Sequence, residues 1–109
     1  MKIIDTPQIA ILHSGNSAKV LQVTGNEGMD MPEHFCTKEA VIIIQKGSAI
    51  LKMNGIEYSL IRDQSFIIPG GTTHMLSIKE SFQAIVIMSI DSEIKFVNKI
   101  NEKNGNQSK

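Results

Sequence analysis

The chain alternates between short apolar runs and clusters of Gly, Asn, Ser and Pro. No long segment repeats its apolar residues at spacings of three and four, so no helix is predicted with its own core face. The runs instead have the length and period of strands. Ile9 to Leu12 reads as a first extended piece, after a bend at Pro7 that confines its neighbourhood to an edge. Ala18 to Thr24 follows the Ser14-Gly15-Asn16-Ser17 turn, and Met29 to Cys36 follows Gly25-Asn26-Glu27-Gly28. Val41 to Gln45 is almost wholly apolar, as in a strand covered on both faces. Gly47 is expected to turn the chain into Ser48 to Met53, and Asn54-Gly55 is a strong two-residue hairpin signal. The returning strand, Ile56 to Leu60, puts Ile56, Tyr58 and Leu60 on one side.

After a turn at Arg62-Asp63-Gln64, Ser65 to Ile68 leads into Pro69-Gly70-Gly71. Two further strands, His74 to Ile78 and Phe82 to Ile90, are expected on either side of Lys79-Glu80-Ser81. Ile94, Phe96, Val97 and Ile100 fit either a strand or a short helix. Residues 101–109 are polar and expected to form a disordered tail, which leaves one domain over residues 1–100. Short runs punctuated by turn residues predict an all-β sandwich or barrel.

Composition narrows the function classes. Of 109 residues, 41% are apolar, enough for one core. Eleven basic and eleven acidic residues cancel without any basic run, which argues against a nucleic-acid or anionic-membrane partner held by bulk charge. No apolar run is longer than Ala40 to Ile44, far short of the roughly 20 residues of a membrane span. Lys2 is followed too soon by Asp5 and Pro7 for a secretory core. The single cysteine makes no internal disulfide and fits a reducing cytoplasm, so a soluble cytoplasmic protein is expected.

Two blocks carry the candidate chemistry. Gly28, His34, Cys36, Ala40 and Gly47 form the first; Asp63, Pro69, Gly71 and His74 form the second. Their spacing resembles the two motifs of the cupin superfamily over most of the chain. That resemblance implies an antiparallel β-barrel of jelly-roll type, a double-stranded β-helix. It also implies one divalent metal held by three His and one Glu. His34 and His74 match two of those ligands, Cys36 replaces the middle His, and Ala40 replaces the Glu. Asp63 stands where the second motif has Gly, and Ile78 where it often has Asn.

Alternate residues of a strand share a face, so His34, Cys36 and Ala40 can enter one interior together. Glu33 and Glu39 have the opposite parity, and Glu39 could replace the missing ligand only through a bulge beside it. The candidate metal site is therefore His34, Cys36 and His74, holding one divalent transition metal: zinc, iron, copper or manganese. A thiolate would favour the softer ions. The bland alternatives are two satisfied buried histidines and a cysteine acting as a small hydrophobe. Ile42, Tyr58 and Met75 are expected as apolar pocket walls.

The first functional expectation is a small-molecule ligand in the barrel, beside a metal site that is degenerate, weak or absent. The second is a metal-dependent oxygenase or isomerase using His34, Cys36 and His74. The third is a ligand-sensing or protein-interaction module. Val41, Ile43, Ile85 and Ile87 put apolar residues on the outward face of strands whose other face is also apolar. A second subunit or the amino-terminal segment must cover that face. The resemblance favours a homodimer.

Overall fold

The computed structural model describes residues 6–97. The expected tail and the docking position of Ile100 lie outside the described residues. Eight strands form one curled antiparallel sheet: β1 (Gln8–Ser14), β2 (Ala18–Gly25), β3 (Asp30–Cys36), β4 (Ala40–Met53), β5 (Ile56–Ile61), β6 (Ser65–Ile68), β7 (His74–Ser89) and β8 (Ile94–Phe96). Long strands at the centre hold it together. The second half of β7 pairs with β2 and with the first half of β4, which pairs with β6. The first half of β7 pairs with β3 and with the second half of β4, which pairs with β5. Two facing layers result, β1-β2-β7-β4-β6 and β8-β3-β7-β4-β5, sharing β4 and β7. This is an all-β, jelly-roll architecture.

The core lies between the layers. Leu21, Val23, Ile42, Ile44, Leu51, Leu76, Ile78, Val86 and Met88 are all buried there. Burying side chains of this size stabilises the fold by roughly 1.5–3 kcal/mol each before chain entropy is charged against it. Strand alternation supplies the pattern: in β7, from Phe82 to Ser89, every second residue is buried.

Two expected boundaries are corrected. Gly47 does not separate two strands, and Lys79-Glu80-Ser81 is not a loop: both lie inside continuous strands, β4 and β7. The chain bends there through successive register shifts between Ile44, Lys46, Ser48 and Ala49, which are β-bulges rather than turns. Gly47 has φ +76°, and a Cβ at this position would overlap the Ser81 carbonyl oxygen. Glycine is needed because two backbones meet. The Ile94 segment is a strand, β8, hydrogen-bonded to β3.

Turn chemistry follows the sequence closely. Asn54 and Gly55 both have positive φ (56° and 76°), the signature of a type I′ hairpin turn. Asp63, standing in place of a motif glycine, still adopts φ 72°, and its N–H donates to the Ile44 carbonyl at 2.8 Å. The left-handed bend is kept without its usual residue, since Asp tolerates that region better than most side chains.

Candidate functional site

His34 and His74 face each other as a cross-strand pair between β3 and β7. Their ring centroids are 4.2 Å apart in an edge-to-face arrangement. Both are buried, at 5% and 3% exposure. The local backbone orients each ring in the same way. His34 Nδ1 lies 2.7 Å from the Pro32 carbonyl oxygen, and His74 Nδ1 lies 2.9 Å from the Thr72 carbonyl oxygen. A carbonyl can only accept, so each Nδ1 carries the proton and each Nε2 keeps its lone pair.

Burial favours the neutral imidazole in both cases. It pushes His34 down to about 4, opposed by the Pro32 carbonyl and reinforced by the neighbouring His74. Burial lowers His74 too, opposed by the Thr72 carbonyl. At neutral pH the site thus presents two uncharged rings. Among the described residues neither Nε2 receives a protein hydrogen bond. Phe96 of β8 packs 5.2 Å from the His34 ring and shields its outer side.

The rings border a cavity of about 40 Å³ between the layers. Met31, Cys36, Ile42, Leu51, Met88 and Ile94 contribute to its wall. Cys36 is buried, and burial raises its thiol above the ordinary range, so it stays protonated at neutral pH. Of the expected pocket walls, Ile42 lines this cavity. Tyr58 and Met75 do not. Tyr58 shares the inward face of β5 but packs on Phe66, with ring centroids 5.0 Å apart. Met75 sits between the inward-facing His74 and Leu76, and strand alternation turns it to the other side. Sequence reading missed Met31 and Met88: Met88 shares the inward parity of Val86, whereas Met31 has the opposite parity to His34 and comes inward only through the register shift between them.

A resident divalent metal, as the resemblance implies, needs a fuller donor set. Ala40 is 1% exposed and supplies no donor, while Glu39, one residue earlier, is exposed outside the barrel. No bulge turns Glu39 inward. Among the described residues no group of three or more His, Cys, Asp or Glu is placed to hold a metal ion. Two imidazoles with backbone-fixed Nδ1 resemble half of such a centre. The residues present do not fit the whole of it.

Comparison with known proteins bears on the fold. No protein-family model matches the sequence, and no curated protein matches it either. Solved structures do match. A cupin superfamily protein from Desulfitobacterium hafniense superposes at TM-score 0.72 over 84% of each chain, with 15% identity. A conserved protein with a double-stranded β-helix domain from Klebsiella pneumoniae gives 0.74 over 89% of this chain and 90% of the other, also at 15% identity. The DMSP lyase DddQ from Ruegeria pomeroyi gives 0.79 over 90% of this chain but 55% of its own, at 19% identity. The chain therefore has the cupin fold, a double-stranded β-helix. At these identities the likeness speaks for the fold alone. Among the described residues no helix is long and apolar enough to cross a membrane.

Proposed function

We propose that this cupin-fold domain binds a small, largely apolar molecule in its interior without a resident metal. The paired neutral imidazoles carry this reading: two buried Nε2 acceptors, unpartnered among the described residues, border an otherwise apolar cavity. An unsatisfied buried acceptor costs about 1–3 kcal/mol, which a ligand hydroxyl or N–H would recover. The ligand class is a neutral molecule that donates hydrogen bonds to the imidazoles and offers carbon to Met31, Leu51 and Met88. A volume of about 40 Å³ admits water or a ligand of few heavy atoms. Anything larger requires the flexible methionines to repack.

The reading is tested by elemental analysis and by imidazole 15N spectra of purified protein. After reloading with zinc, iron, manganese or copper under reducing conditions, no stoichiometric metal is expected. Small alcohols and amides are expected to move the Nε2 resonances of both histidines. Roughly one metal per chain, lost in the His34→Ala/His74→Ala variant, would overturn the metal-free reading and favour the oxygenase or isomerase.

The same reading includes a homodimer. On the outward face, Ile67, Val41, Ile87 and Val20 form one row of direct cross-strand partners over β6, β4, β7 and β2. Ile43 and Ile85 pair in the next row. Ile67 is 56% exposed and Ile43 37%, and no charged side chain interrupts either set. An uncharged aliphatic strip of this kind suits a second copy of itself about a two-fold axis.

A further inference from the structure

A much roomier cavity, about 350 Å³, opens where the end of the β1–β2 pair meets the bulged part of β4 and β7. This volume falls within the range of small-molecule sites, roughly 300–1,000 Å³. Its wall is a row of direct strand partners: Gln8 with Thr24, Thr24 with Gln83, and Gln83 with Lys46. The row belongs to the same outward face as the aliphatic strip, yet it is wholly polar. Asn26 and Ser81 add an amide and a hydroxyl at its edge, and buried Phe82 provides apolar floor.

The backbone places these groups deliberately close. Register shifts on both sides of Lys46 isolate it in a bulge, the device by which strands re-aim a side chain. Gly47, pressed against the Ser81 carbonyl, keeps β4 and β7 in contact beside the opening. Gln83 Nε2 donates to Gln45 Oε1 at 2.8 Å, which fixes the amide and leaves the Gln83 Oε1 available to a hydroxyl. Among the described residues Lys46 makes no ion pair and no acidic side chain lines the cavity. One unpaired ammonium beside a row of amides and hydroxyls matches a molecule with one negative charge and several hydroxyls.

We propose that this groove is a second ligand site, for a small hydroxylated carboxylate. Its carboxylate sits on Lys46, and its hydroxyls exchange hydrogen bonds with Gln8, Thr24, Asn26 and Gln83. The site is independent of the histidine cavity and stands whether or not that cavity binds anything.

The test is a titration of 15N-labelled full-length protein with gluconate, followed by backbone amide shifts. Gluconate is expected to move Gly25, Asn26, Lys46, Gly47 and Gln83 while leaving His34 and His74 in place. Sorbitol, which has the hydroxyls without the charge, is expected to bind at least about tenfold more weakly, and Lys46→Gln is expected to weaken gluconate by a similar factor. Lys46 is exposed, and unchanged spectra elsewhere will verify that its variant folds. Shifts that persist undiminished in Lys46→Gln, shifts confined to other surfaces, or no saturable shift would overturn the proposal. Binding of inorganic phosphate in preference to gluconate would overturn the carboxylate assignment.

Discussion

The two cavities of this protein divide what a binding site ordinarily combines. Beneath His34 and His74 there is distinctive chemistry with little room, about 40 Å³. On the outward face there is room, about 350 Å³, with ordinary polar groups and one lysine. The difference has a structural cause. The histidines sit just past one register shift of β3 against β7, where β7 pairs without a slip against β4 from Ala49 to Met53 and the layers close over them. The groove sits where β4 slips register against β7 and the sheet cannot close. One shift between neighbouring strands leaves the histidines tightly held, whereas three successive shifts around Lys46 make space.

The sharpest way to break the comparison is at Gly47. Gly47→Ala places a Cβ on the Ser81 carbonyl at positive φ, and the bulge must rearrange. Chemical denaturation should show a loss of about 3 kcal/mol or more, with the groove amides most disturbed. Leu51→Ala works on the other side. Leu51 is 1% exposed and lines the histidine cavity, so truncation should cost about 2–5 kcal/mol while enlarging that cavity. If chemistry without room limits the inner site, the variant should take up larger alcohols than the parent, as read by thermal shift.

Acid separates the two regions next. The unfolded chain protonates His34 near 6.5, whereas the folded chain does so only at about 4. Between these values the unfolded state binds more protons, so stability falls as pH drops through 6.5 and levels off near 4. The His34 share is about 3 kcal/mol, and His74 contributes in the same direction. Denaturation midpoints measured across this window should lose most of that dependence in His34→Gln. Weaker effects are expected on the outer face. Val41→Glu should convert the proposed dimer to monomer in sedimentation analysis while leaving the imidazole resonances unchanged. Smallest of all, Lys38→Ala removes an exposed 2.7 Å ion pair with Asp91 and should leave the denaturation midpoint nearly unchanged.

Much of the fold was legible because its signals are local. The Asn54-Gly55 turn, the alternation of β5 and the spacing of Gly28, Gly47, Asp63 and Gly71 each reflect backbone preferences of a few neighbouring residues. All four of those spaced positions have positive φ, Asp63 included. The candidate site was legible in part. Parity brought His34, Cys36 and Ile42 to one interior and the motif resemblance added His74, but Tyr58, also expected there, packs on Phe66 instead. Met75 was misassigned through its nearness to His74, against its own parity.

By itself, then, the sequence determined an all-β chain, the inward face of its regular strand segments and the presence of two histidines with no carboxylate at the motif's Glu position. Those properties depend on residue type and a period of two. The tertiary structure alone decided that β4 and β7 run unbroken through both layers, that each imidazole gives its Nδ1 proton to a carbonyl, and that the larger volume lies outside the barrel. These depend on which distant backbones meet, and on how closely, at places such as Gly47 and Ser81. No local pattern encodes a distance between residues so far apart along the chain.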